Sequence, residues 1–168
     1  MEVFYSGAIQ GNRDRGERAH VHRAFIDCII RLGHNVFSEH PASSNKEETA
    51  ALLEKSIGPL PPAGIERTKH VRRKLIEGIE GDIQAAIFEL TVPSLGVGDE
   101  FAHAYLRPRM GLSAIPMLGL NEEGYWSSGL SSMIRGIDPN GFPNFRLESY
   151  KTIEEGCRHI EKFLRETQ

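Results

Sequence analysis

The stretch that most constrains this chain is Ala85-Ala-Ile-Phe88 followed by Glu89-Leu-Thr-Val-Pro-Ser94-Leu-Gly96-Val-Gly98-Asp99-Glu100. A short continuous apolar run bounded by turn residues reads as a strand buried on both faces, the environment of a parallel sheet. Phe101-Ala-His-Ala-Tyr-Leu106 then reads as the start of a helix. The segment is therefore strand, glycine-rich turn, helix N-terminus. Such a turn brings backbone N–H groups close to an anion, and the helix dipole adds attraction. On this reading Glu100 falls in the first helical turn, where the dipole keeps a carboxylate ionised. An ionised, positioned carboxylate beside an anion-binding loop is a candidate nucleophile. The plain alternative is a helix whose first turn carries Asp99 and Glu100 for its dipole alone.

The rest of the chain repeats this alternation. Val3-Phe-Tyr5 is a strand that opens directly into Ser6-Gly7-Ala8-Ile9-Gln10-Gly11-Asn12-Arg13. In an open α/β sheet that first turn lies at the carboxyl edge, where ligands bind. It is not a dinucleotide fingerprint, because the third glycine and its spacing are missing. A helix over about 17–32 buries Val21, Phe25, Cys28 and Leu32 on one stripe. His20 and His22, two apart, point in different directions and read as solvated. Asn35-Val-Phe37 is a second strand, and the Ser38-Glu39-His40 that ends it is placed to line the site or to cap the loop. Ser44-x-x-Glu47 reads as a capping box for a helix reaching Ile57. Gly58-Pro-Leu-Pro-Pro-Ala-Gly64 reads as a mobile loop near the pocket, and a long helix follows over about 66–80. Leu112-Ser-Ala-Ile-Pro-Met-Leu118 is a fourth strand, in which Pro116 marks an end or an edge. Phe145-Arg-Leu147 is a fifth, and Thr152-x-x-Glu155 caps the last helix. The order predicts an α/β fold: one domain over 1–168, Rossmann/flavodoxin-like, with a parallel five-stranded sheet and helices on both faces.

The chain has 168 residues, 39% hydrophobic and 26% charged, ordinary values for a globular protein. A net charge of −3 with no basic run argues against polymeric nucleic acid as the ligand, while a mononucleotide needs only a few donors. The start, Met1-Glu-Val-Phe-Tyr, lacks the basic region of a signal peptide, and no apolar run approaches the ~18–20 residues that span a membrane. A cytoplasmic location is expected, or a nuclear one in a eukaryote. Cys28 and Cys157 fall on apolar helix faces and read as buried free thiols. No His, Cys and carboxylate cluster has metal-ligand spacing, so neither metal nor other cofactor is expected.

Thr91-x-Pro93-Ser94-Leu95-Gly96-Val97-Gly98-x-Glu100 closely resembles the signature of 2'-deoxynucleoside 5'-phosphate N-hydrolases, within the wider nucleoside 2-deoxyribosyltransferase family. The likeness covers residues 2–40 and 83–166 recognisably and the middle in outline. It implies that Glu100 is the nucleophile, that Ser94 holds the 5'-phosphate, and that the loop from Gly7 to Arg13 frames sugar and phosphate. It also implies a homodimer in which Ser131, in Gly129-Leu130-Ser131-Ser132-Met133-Ile134-Arg135-Gly136, reaches the partner's phosphate site. The only tryptophan, Trp126, is a candidate interface anchor.

This chain departs from the family pattern in several places. The family's strand tyrosine is Phe4, its loop serine is Ala8 and its loop arginine is Gln10. Strand alternation sends Tyr5 and Ser6 to opposite faces, so neither is an automatic replacement. The family's helical aspartate aligns with Ile76, and the adjacent Glu77 becomes the candidate second catalytic carboxylate. Asp99 stands where a tyrosine commonly precedes the nucleophile. The implied substrate-binding set is Phe4, Gly7, Ala8, Ile9, Gln10, Gly11, Arg13, Ser94, Gly96, Gly98, Ser131 and Met133. The expected reaction is cleavage of the N-glycosidic bond of a deoxynucleoside monophosphate through a covalent intermediate on Glu100. The alternatives are base exchange on unphosphorylated deoxynucleosides, or a nucleotide-binding module without turnover.

Overall fold

A computed structural model describes residues 1–9, 16–125 and 129–167. The strands are β1 Glu2–Gly7, β2 Asn35–Phe37, β3 Ala85–Glu89, β4 Met117–Glu122 and β5 Phe145–Tyr150. They form one five-stranded, all-parallel sheet in the order β2-β1-β3-β4-β5. The described helices are α1 Ala19–Arg31, α2 Lys46–Ile57, α3 Ile65–Glu80, α4 Leu95–Tyr105, the single turn α5 Ser132–Arg135, and α6 Ile153–Thr167. This is the flavodoxin-like α/β order, and it reverses between β1 and β3, the place where such sheets bind ligands.

Side-chain alternation along β1 divides the interior. Val3 and Tyr5 join Phe25, Ile29, Ile87, Leu120, Ile160 and Leu164 in a core under α1 and α6. Phe4 and Ala8 join Ile79, Phe88, Val97, Phe101 and Phe145 in the core under α3 and α4. β3 is buried along its whole length, as its unbroken apolar run requires. Cys28 and Cys157 are free thiols that meet between α1 and α6, where Cys28 Sγ donates to the Cys157 carbonyl at 3.7 Å. Cys28 is buried and Cys157 only partly so. Among the described residues, no helix is long and apolar enough to cross a membrane.

Four local expectations need correction. β4 begins after Pro116, because proline has no N–H for the ladder; its carbonyl still accepts from Ala86 N at 3.0 Å. The cap of α2 is displaced by one residue: Asn45 accepts from Glu48 N at 2.8 Å, and Glu48 reaches back to Ser44 N at 2.7 Å. His22 is buried rather than solvated, and it shares a hydrogen bond of 2.8 Å with the Tyr5 hydroxyl. The fourth, the start of α4, bears directly on the site.

Candidate active site at the β1–β3 edge

Ser94 ends the loop after β3 and caps α4, accepting from Val97 N at 3.4 Å. The helix begins at Leu95, so Gly96 and Gly98 lie inside it and Glu100 stands in its second turn. The glycine-rich segment is thus the helix start itself, not a turn ahead of it. Gly96 is one turn before Glu100, on the same side of the helix. A Cβ at Gly96 would meet only Ser94 Oγ, at 3.8 Å.

That carboxyl is partly buried, and the loss of solvent around it is the main cause that pushes its pKa up to about 7. The charge of Asp99 pushes the same way, and a hydrogen bond from Ser6 opposes both. This upward shift runs against the expectation that the helix dipole favours the ionised form: the group sits beyond the first turn, where the dipole fades, and desolvation is the larger effect. Ser6 Oγ donates to Glu100 Oε2 at 2.5 Å. Ser6, set aside in the sequence as no automatic replacement for the missing loop groups, is the side chain that meets this carboxyl. The signal was present, since a period of two puts Ser6 on the same face as Phe4 and Ala8, toward α4.

The other predicted residues of the first loop divide. Phe4 is fully buried and stacked on Phe37 at 5.7 Å, so its ring is part of the core and is not offered to a ligand. Ala8 is buried in the same core. Gly7 is required by packing: a Cβ there would stand 2.3 Å from the His22 ring. Ile9 is half-buried at the start of the loop. Gln10, Gly11, Arg13 and Trp126 lie outside the described residues.

The opposite side of α4 faces a cavity of about 590 Å³. Ser94, Gly98, Ser131 and Met133 line it together, so the structure gathers four of the predicted substrate residues within one chain. Ser131 caps α5 and accepts from Met133 N at 3.3 Å. The remaining lining, including Leu90, Val92, Phe101, Ile134 and Ile137, is mostly apolar, with Thr91 and Tyr105 carrying hydroxyls, and the described lining contains no cation. Glu100 is not among the lining residues and points to the Ser6 side of the helix.

Glu77 is not brought to Glu100. It lies on the exposed face of α3, where Lys74 Nζ approaches at 2.8 Å and holds its pKa below the usual carboxylate range. Asp99 is exposed and pairs with Arg72 at 3.2 Å. Ser38 is buried and bonds His40 at 3.0 Å, and Glu39 pairs with Lys55 at 2.6 Å, so the end of β2 is held by local contacts.

A second buried carboxylate, Glu89, ends β3. Arg18 Nη2 reaches it at 3.1 Å, the Tyr150 hydroxyl donates to it at 2.9 Å, and the Thr91 hydroxyl donates to the same oxygen. Arg18 also binds Glu122 at 2.7 Å and lies 4.4 Å from the centre of the Tyr125 ring. This cluster ties the ends of β3, β4 and β5 to the start of α1. Among the described residues no group of three or more His, Cys, Asp or Glu side chains gathers at metal-binding range.

No protein-family model matches the chain. It is 29% identical over 164 residues, 98% of this chain and 95% of the other, to a protein of Thermofilum pendens (strain DSM 2475 / Hrk 5) provisionally named 2'-deoxynucleoside 5'-phosphate N-hydrolase 1. That likeness agrees with the resemblance carried by the segment from Thr91 to Glu100, and it extends over the middle of the chain, where the motifs are weak.

Proposed function

We propose that the protein hydrolyses the N-glycosidic bond of 2'-deoxynucleoside 5'-monophosphates, releasing free base and 2-deoxyribose 5-phosphate. The observation that carries this reading is the Glu100 carboxyl. Loss of solvent raises its pKa, one neutral donor, Ser6, holds it, and it stands at the strand-order reversal. The name of the Thermofilum pendens relative supports the same reaction class. A 2-deoxyribosyl centre departs through an oxocarbenium-like transition state. Glu100 attacks C1′ and forms a glycosyl ester, and the C1′–N bond breaks with its electron pair on the base, which takes up a proton. Water then attacks C1′, the ester bond breaks, the electron pair returns to Glu100, and the water's proton passes to solvent.

The phosphate falls to Ser94 and Ser131, and by sequence resemblance to Arg13, which lies outside the described residues. We read the assembly as a homodimer. Leu95 is 96% exposed and Met133 81%, an apolar pair beside the Ser94 cavity that suits a partner surface. In a shared site, inactive Glu100→Ala chains mixed with inactive Ser131 variants regain part of the activity after subunit exchange. A monomer by sedimentation removes the shared site.

A second reading is base transfer between unphosphorylated deoxynucleosides. It is favoured by one observation, the absence of a cation from the described lining of the cavity at Ser94, where a dianion costs desolvation. Incubation with deoxynucleosides and their monophosphates, followed by chromatography for free base, separates the two. Release from the monophosphates alone supports hydrolysis, exchange between nucleosides supports transfer, and no turnover leaves a binding module.

A further inference from the structure

We propose that Ser6 is the positioning residue of Glu100: its hydroxyl holds Oε2, leaves Oε1 to attack, and favours the second chemical step over the first. The inference rests on the reaction proposed above but on a contact of its own. Ser6 is 1% exposed and donates to Glu100 Oε2 at 2.5 Å across 94 residues of sequence. A hydrogen bond that engages one carboxylate oxygen decides which oxygen remains available.

The groups around Glu100 make Ser6 decisive. On its own helix, Asp99 repels a second negative charge. From α3, Arg72 is turned to Asp99 at 3.2 Å, and Glu80 is taken by His103 at 2.6 Å. From β3, Glu89 is held by Arg18 at 3.1 Å. Among the described residues, Ser6 is thus the group from β1 that stabilises the Glu100 anion.

A hydrogen bond to an ionised acceptor is stronger than one to a neutral acceptor. When Oε1 attacks C1′ and the base leaves with the C1′–N electron pair, the carboxylate becomes an ester and the Ser6 bond weakens. When water attacks C1′ and the C1′–Oε1 pair returns to the carboxylate, the bond strengthens again. Ser6 therefore holds back ester formation and speeds ester breakdown. Its removal makes breakdown the slow step.

Three variants, followed by kinetics, mass spectrometry and NMR titration, test this. In Ser6→Ala the acid limb of kcat/KM moves upward by roughly one pH unit, because a donor to the anion is lost. Steady-state kcat falls roughly tenfold, the scale for a hydrogen bond to a charged group. Base appears in a burst equal to the enzyme concentration, and an acid-quenched sample carries one deoxyribosyl phosphate by mass spectrometry. Ser6→Cys, a weaker donor of similar size, gives intermediate shifts. The Glu100 carboxyl carbon is followed by NMR titration in wild type and Ser6→Ala, with Glu100→Gln to assign it. An unmoved titration, or turnover without the burst, overturns the proposal. A wild-type protein that releases no base counts against the reaction instead, and the titration still decides the Ser6 contact.

Discussion

Two carboxylates, Glu89 fully buried and Glu100 partly so, stand at the same edge of the sheet, and their surroundings are opposite. Glu89 meets a guanidinium, a phenol and a hydroxyl, and Arg18 is in turn shared with Glu122 and covered by Tyr125. Glu100 meets one serine hydroxyl and the repulsion of Asp99. Neutralisation makes Glu89 a brace that fastens three strand ends and the start of α1. Under-neutralisation leaves Glu100 costly to ionise, the feature on which its proposed role as nucleophile rests. Burial alone does not mark a functional carboxylate; what matters is how far its partners offset that burial.

The strongest way to break this contrast is to remove the reactive group. Glu100→Gln should lose base release on the order of 10⁴-fold or more, the scale for deleting a member of a nucleophilic assembly, while circular dichroism keeps the wild-type spectrum. Near-wild-type turnover would remove the proposed mechanism. The complementary change strikes the brace. Arg18→Met leaves Glu89 buried without its cation and should cost about 3–5 kcal/mol in urea unfolding. Adding Glu89→Gln to the same chain should return part of that loss. A loss under about 1 kcal/mol would show that the ion pair is not what fastens the strand ends.

A smaller effect tests the cost of ionising Glu100. Its folded pKa, about 7, lies above the ordinary value of 4.5, so the folded state holds the proton more tightly. The ionisation penalty is absent below the lower value, grows as pH rises, and is complete above the upper one. The wild type should therefore lose about 3 kcal/mol of stability relative to Glu100→Gln across that window, read by denaturant unfolding at several pH values. Parallel curves would mean that Glu100 is not desolvated.

The smallest effect concerns the other face of α4. Ser94→Ala should weaken binding of a deoxynucleoside monophosphate by about 1–3 kcal/mol and leave the unphosphorylated nucleoside nearly unchanged, as read by calorimetry. Because Ser94 also caps the helix, the variant should lose about 1 kcal/mol of stability as well. Equal weakening of both ligands would leave Ser94 with the cap alone.

Much of this molecule was legible in local pattern. Apolar runs and helical stripes depend on near neighbours in sequence, so the order of elements and the all-parallel sheet were readable from the chain, while the start of α4 at Ser94 was not. The contiguous motif also singled out Glu100. What only the tertiary structure decided were the contacts between distant segments and the electrostatics they create. Ser6 meets Glu100 across 94 residues and Arg18 meets Glu89 across 71. His22 reads as a surface group from its neighbours in sequence, yet Tyr5 and Gly7 pack against its ring. Glu77, adjacent in sequence to the aligned position, faces solvent because one residue turns a helix by about 100°. The charge state of Glu100 belongs to this second group for a physical reason: desolvation sums over everything packed around a carboxyl, and no stretch of sequence contains that sum.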